Sequence, residues 1–482
     1  MDDNSVVIKY LVKLGYNPQT DYYRNVDNWE SWYRNYVQEF HEYHDEDGTK
    51  RSLYRLNMAK RGCEDWSSIL YTEKDSMTCN NEINQKYLDK QLDRLKFDDV
   101  IPENIEKSFW SGTLGTITRV KNAIVENGEL KADEKTEYDL INVTADMIVP
   151  LLISHGEIIN VAFVSKTVEN GEDIFYIEIH ELKNDGYVIK NIFINEQGEE
   201  VQKKGILKEY STHSNIPLFS LLEPKIVSNI KNNNGLGISI YGNAIDQLKD
   251  CDIEYNNWVM DAYLGGKKVF YNKSLVKYNT KTYTDKEGNK VVREIPIYPD
   301  DLTKQQFKVL DGDMSNTNEE TLIHEYNPDL RAEQGEKRIN LALNLYSFSI
   351  GLGKGYYKFE NGTVVTATQY LGENKDLVGN AKKHRRALNS YTVGIARAIL
   401  LLGRILFNEN TDENDEIQLT NKDGFLVSDE ELQEQYRQDF QAGLMSKKTY
   451  LMKARGMTEK QALKELEEVQ KDNPSLESIL GE

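Results

Sequence analysis

Cysteine is scarce in this chain. Three cysteines, Cys63, Cys79 and Cys251, occur among 482 residues. So few thiols, odd in number, exclude a disulfide framework and a cysteine-rich zinc module, and they are typical of a reducing compartment. The first residues, Met1 to Asn4, lack a basic region followed by an apolar stretch, so we expect no signal peptide.

Positive charge and long apolar runs are also lacking. Lys and Arg number 59 against 79 Asp and Glu, which gives a formal net charge of −20. Tight binding to a phosphate backbone or an anionic lipid surface requires clustered Lys and Arg, so the composition disfavours a protein that wraps DNA or coats a membrane. The apolar stretch from Gly394 to Phe407 contains Arg397 and Arg404 and is too short and too charged to span a bilayer. We therefore expect a cytoplasmic chain with no membrane partner.

Motifs for catalysis are absent as well, including GxSxG and HExxH. The loop Gly351–Gly355 comes nearest to a phosphate-binding loop, but it lacks the spacing GxxxxGK[ST] and follows a predicted helix instead of a strand. His41 and His44 could bind a divalent metal from one helix face, although a solvated acidic helix end is the favoured interpretation. We predict no catalytic residue, no metal site and no cofactor. A nucleotide-binding α/β enzyme that uses Gly351–Gly355 remains an alternative.

The sequence does contain an α+β pattern, with 39% hydrophobic residues to build a core. The first hundred residues predict helices rich in aromatic side chains, among them one from Arg51 to about Leu70 with Trp66 in its core. Three β-rich runs then follow, separated by Asn170-Gly171 and Asp185-Gly186. Because Asn-Gly and Asp-Gly favour tight hairpin turns, these runs predict an antiparallel meander over residues 160–166, 173–181 and 187–194.

Two helices enclose a second, smaller β region. The first is predicted from about Ile240 to Tyr263, and the second from Arg331 to Leu352, with a strand at 268–272 and a hairpin at 282–297 between them. The second half of the second helix is apolar nearly all round, which is typical of a helix buried on every side. We expect other copies of the chain to supply part of that cover, through contacts with Ile339, Leu343, Tyr346 and Ile350.

Two further helical parts complete the pattern. A long helix is predicted from Thr366 to Phe407, and it carries the one dense basic cluster, Lys382, Lys383, His384, Arg385 and Arg386. The four Lys and Arg residues are candidates for phosphate contact, with a solvated helix face as the alternative. After it, an acidic linker over residues 409–416 leads to at least two amphipathic helices.

Four stretches in this order resemble the portal proteins of tailed bacteriophages, most of all those of long-tailed phages and prophages of Gram-positive hosts. They are SLYRLNMAKRGCEDW (52–66), GLGISIYGNAIDQLKD (235–250), NPDLRAEQGEKRINLALNLYSFSIGL (327–352) and GKGYYKFENGTVVTATQ (353–369). The resemblance implies a portal-type α+β fold with an α/β wing, a two-helix stem, a small clip that contains β-structure, a long spine helix and a helical crown. The implied bounds are wing 1–235, stem helices 236–264 and 331–352, clip 265–330, tunnel loop 353–367, spine 368–407 and crown 408–482.

The resemblance also implies a function without enzymatic activity. In the family pattern such a chain forms a ring of twelve subunits at one capsid vertex of the virion, after assembly in the host cytoplasm. The ring conducts double-stranded DNA without sequence specificity and docks terminase, the head–tail adaptor and the major capsid or scaffold protein. Another capsid-associated scaffold protein without a channel is a further alternative.

The resemblance assigns two sets of residues to the DNA channel. Acidic side chains on the first stem helix would form a wall that repels phosphate: Asp246, Asp250, Glu254 and Asp261. Residues of the tunnel loop would face DNA and keep it centred: Lys354, Tyr356, Tyr357 and Lys358. Both expectations follow from the low affinity that a conducting surface needs.

Overall fold

The protein has an α+β fold, as the sequence predicts. The computed structural model describes residues 5–44, 48–71, 76–126, 129–169, 171–203, 206–231, 234–272, 275, 277–284, 290–297, 307–310, 323–327, 331–357, 375–420, 429–455, 457 and 459–472. Within these residues, helices α1 to α12 span Val6–Lys13, Tyr23–Tyr33, Gln38–His41, Met58–Leu70, Glu82–Arg94, Phe97–Ser111, Ile245–Leu264, Ala332–Ser349, Lys375–Phe407, Asp429–Gln441, Lys447–Arg455 and Glu459–Asp472.

The strands are short except in the centre of the first half. Strands β1 to β19 span Glu42–His44, Lys50–Ser52, Ser76–Cys79, Leu114–Lys121, Ile124–Glu126, Glu129–Lys131, Glu137–Thr144, Ile148–Ser154, Glu157–Glu169, Glu172–Lys183, Gly186–Ile194, Glu209–Ser211, Phe219–Leu222, Lys268–Asn272, Lys277–Thr284, Lys290–Ile297, Phe307–Leu310, Ile323–Tyr326 and Ile417–Thr420. The main sheet has the order β5-β6-β12-β11-β10-β9-β8, and a second sheet has the order β13-β4-β7.

The predicted meander is confirmed in strands β9, β10 and β11. They pair antiparallel, with Ile177 opposite both Val164 and Ile192. Gly171 and Gly186 adopt positive φ at the two turns, where a residue without a Cβ is least strained. One face of the meander is buried with the aromatic side chains of β13 and β9, including Phe163 and Phe219.

The aromatic helices of the first hundred residues form the other half of this core. Trp29, Trp32, Trp66 and Phe109 are buried, as their three- and four-residue spacing predicts. Helix α6 is followed by Gly112, which has φ of +89° and lies against the carbonyl of Gly237. A Cβ at Gly237 would lie 2.4 Å from the carbonyl oxygen of Gly112, so two backbones meet there at a distance that only glycines allow.

Helix α7 begins later than predicted because of this contact. Residues 235–244 form turns against α6 before α7 starts at Ile245, and the amide of Ile240 donates to the carbonyl of Phe109. Between α7 and α8, β14 pairs with β17 and β18, and β15 pairs with β16 as the predicted hairpin. We call residues 265–330 the tip segment.

Helix α9 is the longest helix of the described residues, and it lies in the core. It is long and apolar enough, by length and composition, to cross a membrane. In this structure its apolar side chains are buried against β13, α5 and α4, as in a core helix. Residues 368–374 of the predicted spine lie outside the described residues.

The segment after α9, predicted as an acidic linker over residues 409–416, packs against the first half of the chain. Strand β19 pairs antiparallel with β3, and Thr411 and Glu413 are buried. Asp415 accepts hydrogen bonds from the amide of Asn81 and the side chain of Asn84 at the start of α5. Acidic groups of this segment therefore accept hydrogen bonds from the first half of the chain, and the segment is packed against that half.

Candidate functional site

The end of helix α8 is bound to helix α4 by side chains from both. The hydroxyl of Tyr346 donates to the carbonyl of Met58 at 2.9 Å, and the indole N–H of Trp66 donates to the carbonyl of Ile350 at 3.0 Å. A Cβ at Gly62 would lie 2.6 Å from the Tyr346 hydroxyl, so this glycine provides the space for the tyrosine. Helix α8 is therefore fixed to the core of its own chain.

The structure contradicts the prediction that four residues of α8 pack between subunits. Ile339, Leu343, Tyr346 and Ile350 are all buried within one chain, between 0% and 3% exposed. They recur at three- and four-residue spacings on the face of α8 that meets α4 and α7, so the chain itself covers them. Side chains this deeply buried have no exposed surface with which another subunit could pack.

The opposite face of α8 carries an apolar surface that the described residues leave open. Leu341, Leu345 and Phe348 are 61%, 47% and 54% exposed. Their i, i+4, i+7 spacing places them in one row about 10 Å long. We call these three residues the outer stripe. Single exposed apolar residues are common on protein surfaces, but an aligned row of three on one helix is typical of an interaction site.

The acidic residues of α7 divide into two groups. Glu254 accepts from Arg338 of α8 at 2.8 Å, and Asp261 pairs with Arg331 at 3.2 Å and with Arg338 at 3.7 Å. The prediction that Glu254 and Asp261 form part of an open acidic wall is therefore wrong, because both are engaged in holding α7 to α8. These pairs join the start of one helix to the end of the other, so the two helices run antiparallel.

Asp250 and Asp246, one and two turns before Glu254, are exposed. Asp246 pairs with Lys249 on the same helix, and its side chain is 85% exposed. These two remain candidates for a wall that repels phosphate.

The predicted tunnel loop is described as far as Tyr357, and Lys358 lies outside the described residues. Lys354 is exposed, and its Nζ lies 5.9 Å from the ring centre of Phe348 in the outer stripe. Tyr357, by contrast, donates to Asp65 at 2.7 Å and stacks on Tyr346. These contacts place Tyr357 over the junction of α4 and α8, so its predicted contact with DNA is wrong. Tyr356 is half-buried and its ring meets that of Tyr357 edge-on, and its contact with DNA stays a prediction.

The basic cluster on α9 is only partly available to a ligand. Lys382, Lys383 and Arg386 are exposed, whereas Arg385 donates to the carbonyl of Leu70 at 3.0 Å. His384 is buried, and its Nδ1 accepts from the amide of Lys225. Arg385 thus has a structural partner, and the phosphate-contact prediction applies to the three exposed residues.

The alternative of a nucleotide-binding loop lacks its structural context. Gly351 directly follows helix α8, and Asn380 of α9 donates to its carbonyl at 3.0 Å. A phosphate-binding loop instead follows a strand and opens a helix with its free N–H groups. Across the described ranges of the chain, no three His, Cys, Asp or Glu side chains are grouped so that they could hold a metal ion.

His41 is buried instead of lying at a solvated helix end. The amide of Val37 donates to its Nδ1 at 2.8 Å, and its Nε2 donates to Asp252 of α7 at 3.0 Å. Asp252 also accepts from the amide of Leu56 at 2.7 Å. Burial raises the pKa of Asp252, and these hydrogen bonds oppose the rise. The pair is separated by 211 positions in the chain, so no local pattern could have revealed it.

The chain has a structural likeness to a known protein but no detectable likeness in sequence. No protein-family profile matches the chain, and no curated protein matches it in sequence. Among solved structures, a chain from the neck of a native GTA particle computed with C12 symmetry is similar over 82% of this chain and 88% of that one. The identity is 10% and the TM-score is 0.38.

Proposed function

We propose that this chain is the subunit of a phage portal, a ring that conducts double-stranded DNA at one capsid vertex and docks terminase and the head–tail adaptor. In this proposal α7 and α8 are the stem, the tip segment is the clip, and the protein catalyses no reaction. The sequence resemblance over four ordered stretches supports the assignment.

One observation carries the proposal most directly: the antiparallel pair α7 and α8 holds a β-containing tip segment and bears an apolar row that no described part of the chain covers. Burying a large apolar side chain gains about 1.5–3 kcal/mol when it is complete. The outer stripe is about half exposed, so cover from a neighbour would gain several kcal/mol at each interface. A closed ring supplies that cover in every subunit through one repeated head-to-tail contact.

Charge in such a ring would be multiplied by symmetry. Lys354 lies beside the outer stripe, so a ring would repeat its charge as a belt, while Asp246 and Asp250 would repeat as acidic rows. Fixed negative charge repels the phosphate backbone, and a few ring-repeated lysines keep a duplex centred without tight binding.

The test is electron microscopy of the purified full chain together with mass photometry. We expect rings of about a dozen subunits with a central hole. A monomer at high concentration in an assembly-competent buffer would overturn the portal proposal. A closed particle or an open sheet without a hole would favour the alternative of a capsid-associated scaffold.

A triple variant tests the interface itself. Replacing Leu341, Leu345 and Phe348 by Gln should leave a folded chain, because these side chains are exposed, but should abolish or greatly weaken ring formation. The matched control replaces three other exposed apolar residues, Leu152, Val168 and Leu444, by Gln and should retain rings. Rings of normal stability in the α8 variant would exclude the outer stripe as the interface.

A further inference from the structure

A cavity lies where the second sheet meets the main sheet. Its volume is about 380 Å³, which is within the range of small-ligand sites. Arg119 at the end of β4, Tyr176 and Glu178 of β10, and Asn191 and Phe193 of β11 line it, and Ile206 lies at its rim. The proposed function uses none of these residues.

Arg119 is held rigidly inside this cavity. Its Nε and Nη2 contact Oε2 of Glu178 at 2.7 and 2.6 Å, and its guanidinium carbon lies 4.9 Å from the ring centre of Tyr176. Stacking on a ring and a carboxylate along one edge together fix the plane of a guanidinium. The group is therefore positioned before any ligand arrives.

Glu178 is an anchor that stays charged. It is buried, and its other oxygen accepts from Nε2 of His180 at 3.0 Å. Burial alone would raise the pKa of Glu178, but the hydrogen bond from His180 and the charge of Arg119 outweigh it and lower the pKa to about 2. The carboxylate therefore holds one edge of Arg119 throughout the physiological range.

The other edge of Arg119 is open. A guanidinium has five N–H donors, and in the described part of the chain Nη1 makes no hydrogen bond. The side chain is 25% exposed, and that exposure is toward the cavity. One edge of the Arg119 guanidinium, formed by Nε and Nη2, is held by the Glu178 carboxylate. The edge formed by Nη1 and Nη2 can therefore bind a second carboxylate by donating two parallel hydrogen bonds.

We propose that this cavity binds a carboxylate carried on an apolar group, either the C-terminal residue of a polypeptide or a small organic acid. The free edge of Arg119 takes the carboxylate, and Phe193, Leu207 and Ile206 contact the apolar group. Arg119 and Glu178 together carry no net charge, and Lys121, the other cation of the lining, is paired with Asp139, so a monoanion fits the site better than a doubly charged phosphate.

Calorimetric titration of the full chain tests the proposal with four probes at up to about 10 mM. They are a tetrapeptide ending in phenylalanine with a free carboxylate, the same peptide with a C-terminal carboxamide, hexanoate, and inorganic phosphate. We expect saturable binding of the free-carboxylate peptide and a loss of about tenfold or more for the carboxamide, as for a lost charged hydrogen bond. Binding of hexanoate at similar strength identifies a small organic acid as sufficient, whereas binding of the peptide alone identifies a polypeptide C-terminus.

Two variants locate the binding. Arg119→Lys keeps a positive charge beside Glu178 but removes the planar fork, and it should weaken binding about tenfold. Ile206→Glu places a negative charge at the exposed rim and should weaken binding without disturbing the core, while Val168→Glu on the same sheet should leave it unchanged. No binding of either acid to the wild-type chain, equal binding of the carboxamide, preferred binding of phosphate, or full affinity in the Ile206 variant would each overturn the proposal.

Discussion

His384 is a titratable group held neutral in the centre of the molecule. Its ring lies 4.8 Å from Trp66 and 5.1 Å from Phe109, centre to centre, and its Nδ1 accepts from the amide of Lys225 at 2.9 Å. Burial, and to a smaller extent the charge of Lys383, lower the pKa of His384 from 6.5 to about 4. Protonation would place a charge in this core and remove the acceptor for Lys225.

This geometry predicts a loss of stability in mild acid. The unfolded chain binds the proton near pH 6.5 and the folded chain only near pH 4, so the unfolded state binds more protons between these values. The contribution of His384 is therefore complete above pH 6.5 and is lost as the pH falls toward 4, by about 3 kcal/mol over the full interval. Urea unfolding at several pH values measures it.

The control for this prediction is His384→Gln, which keeps an acceptor for the Lys225 amide but does not titrate. The free energy of unfolding of the wild type should fall more steeply than that of the variant between pH 7 and pH 4.5. Parallel curves for the two proteins would show that His384 does not titrate in this way.

At the scale of elements, the pairing of α7 with α8 depends on one arginine and one glycine. Arg338 lies between Glu254 and Asp261, and a Cβ at Gly335 would lie 2.5 Å from Cδ1 of Trp258. The glycine lets the two helices approach closely beside the tryptophan, and the arginine then connects their polar edges. Together they hold the base of the tip segment.

A double-mutant cycle tests the arginine. Arg338→Glu should lower the free energy of unfolding by about 1 kcal/mol, since the pair is partly exposed, and combining it with Glu254→Arg should restore part of the loss. The coupling should decrease in 1 M NaCl, because salt screens exposed charges. The more exposed pair Asp246 and Lys249 on the same helix is the control, and an equal coupling there would contradict a specific role for Arg338.

The sequence predicts the positions of helices and strands better than it predicts which face of a helix is buried. Hairpin signals and apolar periodicity located β9, β10, β11, α7 and α8 to within a few residues. Helix α8, however, is apolar on two faces, and nothing local distinguishes the row that meets Gly62 and Trp66 from the row that stays open. That choice is made by α4, which precedes α8 by more than 260 residues, so no local pattern shows that Ile339 faces inward and Leu341 outward.

The sequence does not show the partners of the charged residues of α7 for the same reason. Composition marks α7 as acidic, but the partners of Glu254 and Asp261 come from α8, and those of Asp252 come from the region of His41 and Leu56. The Arg119 cavity likewise combines β4, β10 and β11. Sites assembled from distant strands leave no spacing that a sequence pattern could reveal.

At the scale of the whole molecule, residues 408–420 connect the end of the long helix to the first hundred residues. The hydroxyl of Thr411 donates to the carbonyl of Leu400, and Arg404 pairs with Glu413. The side chain of Asn84 is buried and donates to the carbonyl of Asp412 and to Asp415. Helices α10, α11 and α12, in contrast, have one another as principal packing partners.

Two truncations distinguish these parts. A chain that ends after Thr420 should unfold within a few degrees of the full chain. One that ends after Phe407 should lose several kcal/mol, because buried Asn84 loses both partners at about 1–3 kcal/mol each and β3 loses its neighbouring strand. Thermal unfolding followed by circular dichroism measures both, and equal melting temperatures would show that residues 408–420 contribute nothing to the core.

The antiparallel course of α7 and α8 has an evolutionary consequence. The chain leaves and returns at neighbouring points, and Lys268 of β14 pairs with Tyr326 of β18 just beyond the two helices. A segment whose two ends adjoin can be exchanged as a cassette, since a replacement of different length needs only to span the same short gap. Recombination can then exchange the tip segment while the remaining core is inherited unchanged.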